Sequence, residues 1–166
     1  WVDDIVDLKP FGKSYDLAMR ERTADSIAWG RLHVGFTDND GNIIGQSLEA
    51  ILNEGGINSL NHRDFNAYLV ACAALDRIEA AETDERIATM VYADRELQNK
   101  DNLVRDISTY ERENPTFKDA ANGVYEYRNN LLRIAVDSGV ISENLADYFK
   151  ATFPHYVPLY RVQERD

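Results

Sequence analysis

The sequence lacks the features that characterise secreted, membrane and nucleic-acid-binding proteins. It has one cysteine, Cys72, in 166 residues, which excludes an internal disulfide and any disulfide-stapled fold. The longest apolar run, Ala67–Leu75, is too short to cross a bilayer, and no signal-peptide pattern opens the chain. Lysine and arginine total 18 against 29 acidic residues, a net charge of −11, and basic clusters are missing. We therefore expect no membrane partner and no direct nucleic-acid partner.

Apolar residues recur every three to four positions along most of the chain, whereas alternating runs of β-branched residues are almost absent. This period is typical of amphipathic helices. It predicts an all-α fold, a multi-helix bundle of about six to seven helices. We expect a single helical domain over residues 1–166 with an extended, proline-containing C-terminal tail, because Pro154 and Pro158 disfavour helix in the residues before them.

Turn-forming and capping residues predict where the helices begin and end. A long first helix is expected from Ser14 to about Phe36, followed by a tight turn or short hairpin over 37–45. A short helix stopped by Gly55 and Gly56 and a core helix over 59–81 are predicted next. Two further helices are expected to begin at the N-caps Thr83 and Asp101. A long helix is predicted from Asn114-Pro115 to Gly139, and a last helix from Ser142 to about Thr152.

The segment Asp38–Ile43 resembles the middle of a calcium-binding EF-hand loop in its spacing of acids, glycine and an aliphatic residue. If Gly41 takes the sixth position of such a loop, Phe36 and Ser47 occupy the first and twelfth positions. Both of those positions require a carboxylate ligand. The segment is therefore predicted to be a plain turn.

The residues best suited to metal binding or nucleophilic catalysis form no recognisable site. His33, His62 and His155 lie far apart, so we predict no metal site and no cofactor. His62 and Asp64 form either an acid–base pair or an ordinary helix N-terminus, and the second interpretation is favoured. Cys72 occupies a mid-stripe position on the core helix, which predicts packing rather than reactivity. The sequence thus predicts no catalytic residue and no enzyme.

Two alternative hypotheses come from the acidic residues. Asp64, Asp76 and Glu79 are candidates for a carboxylate-based, metal-dependent enzyme, because Asp76 and Glu79 are three residues apart on one helix. The net charge of −11 also allows an acidic DNA mimic, an antirestriction decoy that binds a DNA-binding host protein.

The last third of the chain resembles a segment of very large phage and prophage proteins known as large polyvalent proteins. The residues that carry this resemblance are the runs at 125–127, 131–133, 137–142 and 156–161, which read Tyr-Glu-Tyr, Leu-Leu-Arg, Asp-Ser-Gly-Val-Ile-Ser and Tyr-Val-Pro-Leu-Tyr-Arg. Some of those proteins carry a Pro-Leu-x-Arg-Phe-Gly motif, and Pro158, Leu159 and Arg161 match its first part. In such polypeptides, helical segments without assigned activity lie between enzymatic modules.

The resemblance implies a non-catalytic helical module that contacts neighbouring domains of a parent polypeptide or another protein. It places the chain in the cytoplasm of a bacterial host or in the virion. The start at Trp1 leads us to expect a piece of a longer polypeptide. The candidate interaction tail, which either clasps this domain or docks on the next one, comprises Tyr156, Pro158, Leu159, Tyr160 and Arg161.

Overall fold

A computed structural model describes residues 24–38, 40–84, 87 and 99–157. Over these residues the fold is all-α, as predicted, with six helices and one short hairpin. The elements are α1 (24–33), β1 (Phe36–Thr37), β2 (Ile43–Gly45), α2 (Leu48–Glu54), α3 (His62–Thr83), α4 (Lys100–Glu113), α5 (Phe117–Asp137) and α6 (Glu143–Thr152). None of the described helices combines the length and the apolar character that crossing a bilayer requires.

The chain forms two compact units that divide between Glu49 and Ala50, inside α2. The single domain expected over 1–166 stays a prediction. In the first unit, α1 is described to residue 33 rather than to the predicted Phe36. Gly35 explains this early end, because its φ of +112° is incompatible with a continuing α-helix. Phe36 instead pairs with Gly45 in the antiparallel hairpin β1–β2.

The turn of this hairpin confirms the interpretation of 37–45 as a tight turn or short hairpin. The Asp38 carboxylate accepts hydrogen bonds from the backbone N–H of Asp40 at 2.9 Å and of Asn42 at 2.8 Å. It also accepts one from the Asn42 side chain at 3.0 Å. These bonds lower the pKa of Asp38, with the Asn42 side chain as the largest cause, because they stabilise the charged carboxylate.

The second unit is organised around α3, which contributes eight buried residues. Phe65 and Tyr68 lie near Phe117 of α5, with ring centroids 5.2 and 5.9 Å apart. One turn further along, Ala71 and Ala74 of α3 cluster with the buried Leu103 and the partly buried Ile107 of α4. Small side chains at these positions let α4 approach the α3 backbone closely. The core helix expected over 59–81 is confirmed; it begins three residues later and ends two residues later.

Two predicted N-caps and one predicted helix start are wrong. Thr83 is the last residue of α3, and its hydroxyl donates to the Ala80 carbonyl. Asn99, not Asp101, caps α4 by accepting from a backbone N–H in the first turn. At the Asn114-Pro115 signal, α5 begins only at Phe117.

The helix predicted to start at Asn114-Pro115 begins later, because residues 114–117 form a turn between α4 and α5. Asn114 ends α4, and its carbonyl accepts from Phe117 N–H at 3.0 Å. Thr116 uses its hydroxyl for the Gly55 carbonyl at 2.7 Å rather than for a cap. This turn connects α4 to α5 and ties α5 to the end of α2.

The end of α5 and both ends of α6 agree with the sequence. Gly139, with φ +73°, follows the end of α5, and the Ser142 side chain caps α6 by accepting from Leu145 N–H. The chain beyond α6 is not extended throughout, because Pro154 and His155 form a turn in which Tyr156 N–H donates to the Phe153 carbonyl at 3.2 Å. Residues 158–166 lie outside the described ranges.

Candidate functional site

A buried carboxylate on α3 holds the turn that follows α6. Asp76 is only 7% exposed. Its Oδ2 accepts from the backbone N–H of His155 at 2.6 Å, and its Oδ1 lies 2.6 Å from His155 Nδ1. Since an ionised carboxylate is only an acceptor, Nδ1 carries the hydrogen in this pair. Both carboxylate oxygens of Asp76 are thus used to fix one residue that is 79 positions away in the chain.

An arginine on α5 holds the same turn from its carbonyl side. Arg128 Nη1 donates to the carbonyls of Phe153 at 2.9 Å and Tyr156 at 3.0 Å. Its remaining contacts, from Nε and Nη2, reach the neighbouring Asn129 side chain. Burial lowers the pKa of Arg128, while the Asp76 charge acts in the opposite direction. We call Asp76, Arg128 and the held segment Phe153–Tyr156 the C-terminal clasp.

The clasp lies against a buried polar cluster of α3 and α5. The Tyr125 ring packs edge-on to His155 with centroids 5.1 Å apart. Its hydroxyl is buried and, among the described residues, has no hydrogen-bond partner of good geometry, although it interacts with the Cys72 thiol. Burial raises the pKa of Tyr125, and it raises the pKa of Tyr68, whose hydroxyl donates to Glu111 at 3.0 Å. These phenols stay neutral at physiological pH.

Cys72 lies in this cluster and is buried, as the sequence predicted. Burial raises the pKa of the Cys72 thiol to about 11, because a thiolate is poorly solvated there. The thiolate is the nucleophilic form of cysteine, and its population at neutral pH is therefore very small. Cys72 is unsuited to act as a nucleophile.

Beside the clasp lies a partly enclosed cavity of about 450 Å³. Among the described residues it is lined by Arg77 of α3, Phe149 of α6, and Phe153 and Tyr156 of the clasp. The Arg77 guanidinium lies 5.9 Å from the centroid of the Tyr156 ring, which is within cation–π range. The cavity therefore presents one cation and three aromatic rings.

The Asp76–His155 pair has the geometry by which a carboxylate orients a general-base histidine. The His155 side chain is 45% exposed. Within the described ranges, however, no hydroxyl or thiol is hydrogen-bonded to Nε2. The Asp76 carboxylate can therefore orient the His155 ring and can anchor the chain segment that contains it. The hydrogen bond from the His155 backbone N–H to Asp76 serves the anchoring role.

The three carboxylates of the enzyme hypothesis do not converge. Asp76 is committed to His155, and Glu79 forms an exposed ion pair with Lys100, with Nζ and Oε1 3.3 Å apart. Asp64 lies exposed in the first turn of α3. Across the described ranges, no three His, Cys, Asp or Glu side chains are placed to hold a metal ion together.

The three histidines occupy separate places. His33 lies 2.7 Å from Glu49 Oε2 through its Nδ1 and packs beside Trp29 in the first unit. His62 begins α3, and its Nδ1 lies 3.0 Å from the Ser59 carbonyl. This position agrees with the favoured interpretation of His62 as a residue of a helix N-terminus.

Of the five residues assigned to the interaction tail, the structure describes Tyr156, which lies in the clasp and lines the cavity. Pro158, Leu159, Tyr160 and Arg161 lie outside the described residues. Sequence reasoning did not find the pairing of Asp76 with His155, or the role of Arg128. One signal in the sequence indicates that Asp76 has a partner. Asp76 follows Cys72 by one helical turn and therefore shares its buried helix face, where a charged side chain requires a hydrogen-bond partner.

Comparisons with protein-family models, curated proteins and solved structures find no match to this chain.

Proposed function

We propose that this chain is a non-catalytic helical module of a large phage- or prophage-encoded multidomain protein, and that it spaces or positions the modules next to it. The observation that carries the proposal is the C-terminal clasp. Asp76 and Arg128 hold the segment Phe153–Tyr156 through four hydrogen bonds of 2.6 to 3.0 Å. These bonds fix the position and the direction of the Phe153–Tyr156 backbone relative to α3 and α5.

The location of the clasp supports a positioning role. It holds the residues shortly before Pro158, Leu159 and Arg161, which match the first part of the Pro-Leu-x-Arg-Phe-Gly motif of some large phage proteins. A flexible connection would let two modules move independently, whereas a connection anchored by charged hydrogen bonds limits their relative motion. The module would thus act as a rigid spacer whose partner is a neighbouring domain or another protein.

The state of the reactive groups supports a role without catalysis. Burial raises the pKa of the Cys72 thiol to about 11, both oxygens of Asp76 are hydrogen-bonded, and Glu79 shares an exposed ion pair with Lys100 and Glu82. Each group is therefore accounted for by packing or pairing. These side chains need no reaction to explain their presence.

An immunoblot of the bacterium that encodes the chain tests the proposal, with antibody raised against residues 24–157. Lysate and particles from an induced culture are run side by side, and a strain deleted for the coding region is the control. We expect a band far above 18.9 kDa that is absent from the deletion strain. Its presence in particles would indicate a virion component. A band near 18.9 kDa would contradict the proposal and favour the alternatives of an acidic decoy or a carboxylate enzyme.

A further inference from the structure

Two positions in the sequence place aspartate or asparagine directly before glycine, Asp40–Gly41 and Asn122–Gly123. Such a pair can react with itself, because glycine has no side chain to keep its backbone nitrogen away from the carbonyl carbon of the preceding side chain. We infer that Asp40–Gly41, at the tip of the hairpin β1–β2, is the site of isoaspartate formation in the folded chain, and that α5 protects Asn122–Gly123. This inference is independent of the proposed function, because it concerns the hairpin and not the native size of the protein.

The reaction at Asp40 needs no partner other than water. The Gly41 nitrogen attacks Asp40 Cγ, a C–N bond forms, and the hydroxyl of the carboxylic acid leaves with the amide proton as water. Water then adds to the Asp40 backbone carbonyl carbon in the resulting succinimide ring and breaks the bond between that carbon and the nitrogen. The chain now runs through Cγ, and the former backbone carbonyl is a free carboxylate. No group is oxidised or reduced in either step.

The tip of the hairpin leaves both residues accessible for this reaction. Asp40 and Gly41 are exposed. Among the described residues, no heavy atom beyond its chain neighbours lies within 4 Å of the position that a Gly41 Cβ would take. The Gly41 N–H donates to the Asp38 carbonyl at 3.1 Å, a bond within the turn itself. Because a two-stranded hairpin is only marginally stable, this bond opens at little cost and frees the nitrogen to reach Asp40 Cγ.

The second pair lies in the middle of α5, where the fold suppresses the reaction. The N–H of a helix-interior residue such as Gly123 donates to the carbonyl four residues earlier, which keeps the nitrogen from turning toward the Asn122 side chain. Gly123 also packs against α2, because a Cβ at this position would lie 2.7 Å from Ile51 Cγ2. A packed helix opens at a higher cost than the tip of a hairpin. Once the chain is unfolded, Asn122 should react faster than Asp40, since an amide is a better electrophile than an ionised carboxylate.

Ageing of the full 166-residue chain at 37 °C and pH 7.4 tests the inference. One sample is kept native, and a second is unfolded in guanidinium chloride. Trypsin separates the two sites into peptides 32–63 and 119–128. A protein-isoaspartate methyltransferase then labels isoaspartate with a methyl group from S-adenosylmethionine. In the native sample we expect at least about tenfold more label in peptide 32–63 than in peptide 119–128, because the helix has to open first. In the unfolded sample the order should reverse.

Two variants assign the label to single residues. D40E keeps the negative charge, but its longer side chain would have to close a less favourable six-membered ring, so the native label of peptide 32–63 should be lost. N122Q is the matched control, which should leave that native label unchanged and remove the label of peptide 119–128 from the unfolded sample. Unchanged circular dichroism of both variants shows that they fold. A native label that persists in D40E, that is equal in the two peptides, or that is absent while the unfolded sample reacts would overturn the inference.

Discussion

Replacing Asp76 with asparagine should weaken the C-terminal clasp without changing the volume of the side chain. The carboxylate accepts two hydrogen bonds of 2.6 Å from His155, and bonds to a charged group contribute about 1.5–3 kcal/mol each. Asparagine keeps one oxygen acceptor, but its amide group faces one of the two donors. One bond is therefore lost and a donor is placed against a donor.

The exposure of the partner sets the magnitude. Breaking a fully buried ion pair costs about 3–5 kcal/mol, but the His155 side chain is 45% exposed, so solvent screens its contact with Asp76. We therefore expect D76N to lower the free energy of unfolding by about 2–3 kcal/mol. For a domain of this size, such a loss corresponds to a decrease in Tm of roughly 5–10 °C.

Urea unfolding followed by circular dichroism at 222 nm measures this change. D106N is the matched control, because the Asp106 side chain is 51% exposed and pairs with the adjacent Arg105 at 3.5 Å. It should change stability by less than about 0.5 kcal/mol. A double-mutant cycle with H155A should give a coupling energy of about 1 kcal/mol or more. A D76N effect as small as that of D106N, with additive double mutants, would refute the reasoning.

Three further predictions concern packing and capping. Cys72 should react with iodoacetamide roughly 100-fold more slowly in the native chain than in urea at pH 8. The reason is that burial raises the pKa of its thiol to about 11 from the ordinary 9.0, which lowers the thiolate population. Equal rates would contradict the burial of Cys72. G55A should destabilise the chain by about 1–3 kcal/mol, because the new Cβ would lie 2.5 Å from Ala120 Cβ. G30A should instead stabilise it by about 0.5–1 kcal/mol, because among the described residues the new Cβ meets no heavy atom within 4 Å beyond its chain neighbours and its own helix backbone. Urea unfolding distinguishes the two signs. S142A should cost about 0.5–1 kcal/mol in the same assay, since its cap bond is a long 3.3 Å.

The parts of the fold that depend on local periodicity could be predicted from the sequence. The core stripe of α3 and the helix over 117–137 follow from apolar residues three to four apart, and both are observed. The cap at Ser142 and the end at Gly139 likewise depend on one residue and its own backbone. Local signals of this kind require no knowledge of the rest of the chain.

One boundary error occurs where a tertiary contact competes with a local signal, whereas the wrong caps at Thr83 and Asp101 involve contacts within a helix or its first turn. Thr116 donates to the Gly55 carbonyl, 61 residues away, and the helix start moves past Asn114-Pro115. The pairing of Asp76 with His155 could not be predicted either, because the two residues are 79 positions apart and no spacing rule connects them. A buried acid on a core stripe indicates that a partner exists but not which residue it is.

Hydrogen exchange at the backbone amide of His155 tests the clasp most directly, because that amide donates to the buried Asp76 carboxylate. NMR of the native chain and of D76N at one pH gives the rate in each. We predict protection of roughly 100-fold or more over an unstructured peptide in the native chain, and loss of most of it in D76N. An exchange rate in the native chain close to that of an unstructured peptide would show that the clasp does not hold the segment Phe153–Tyr156. It would thereby contradict the positioning role.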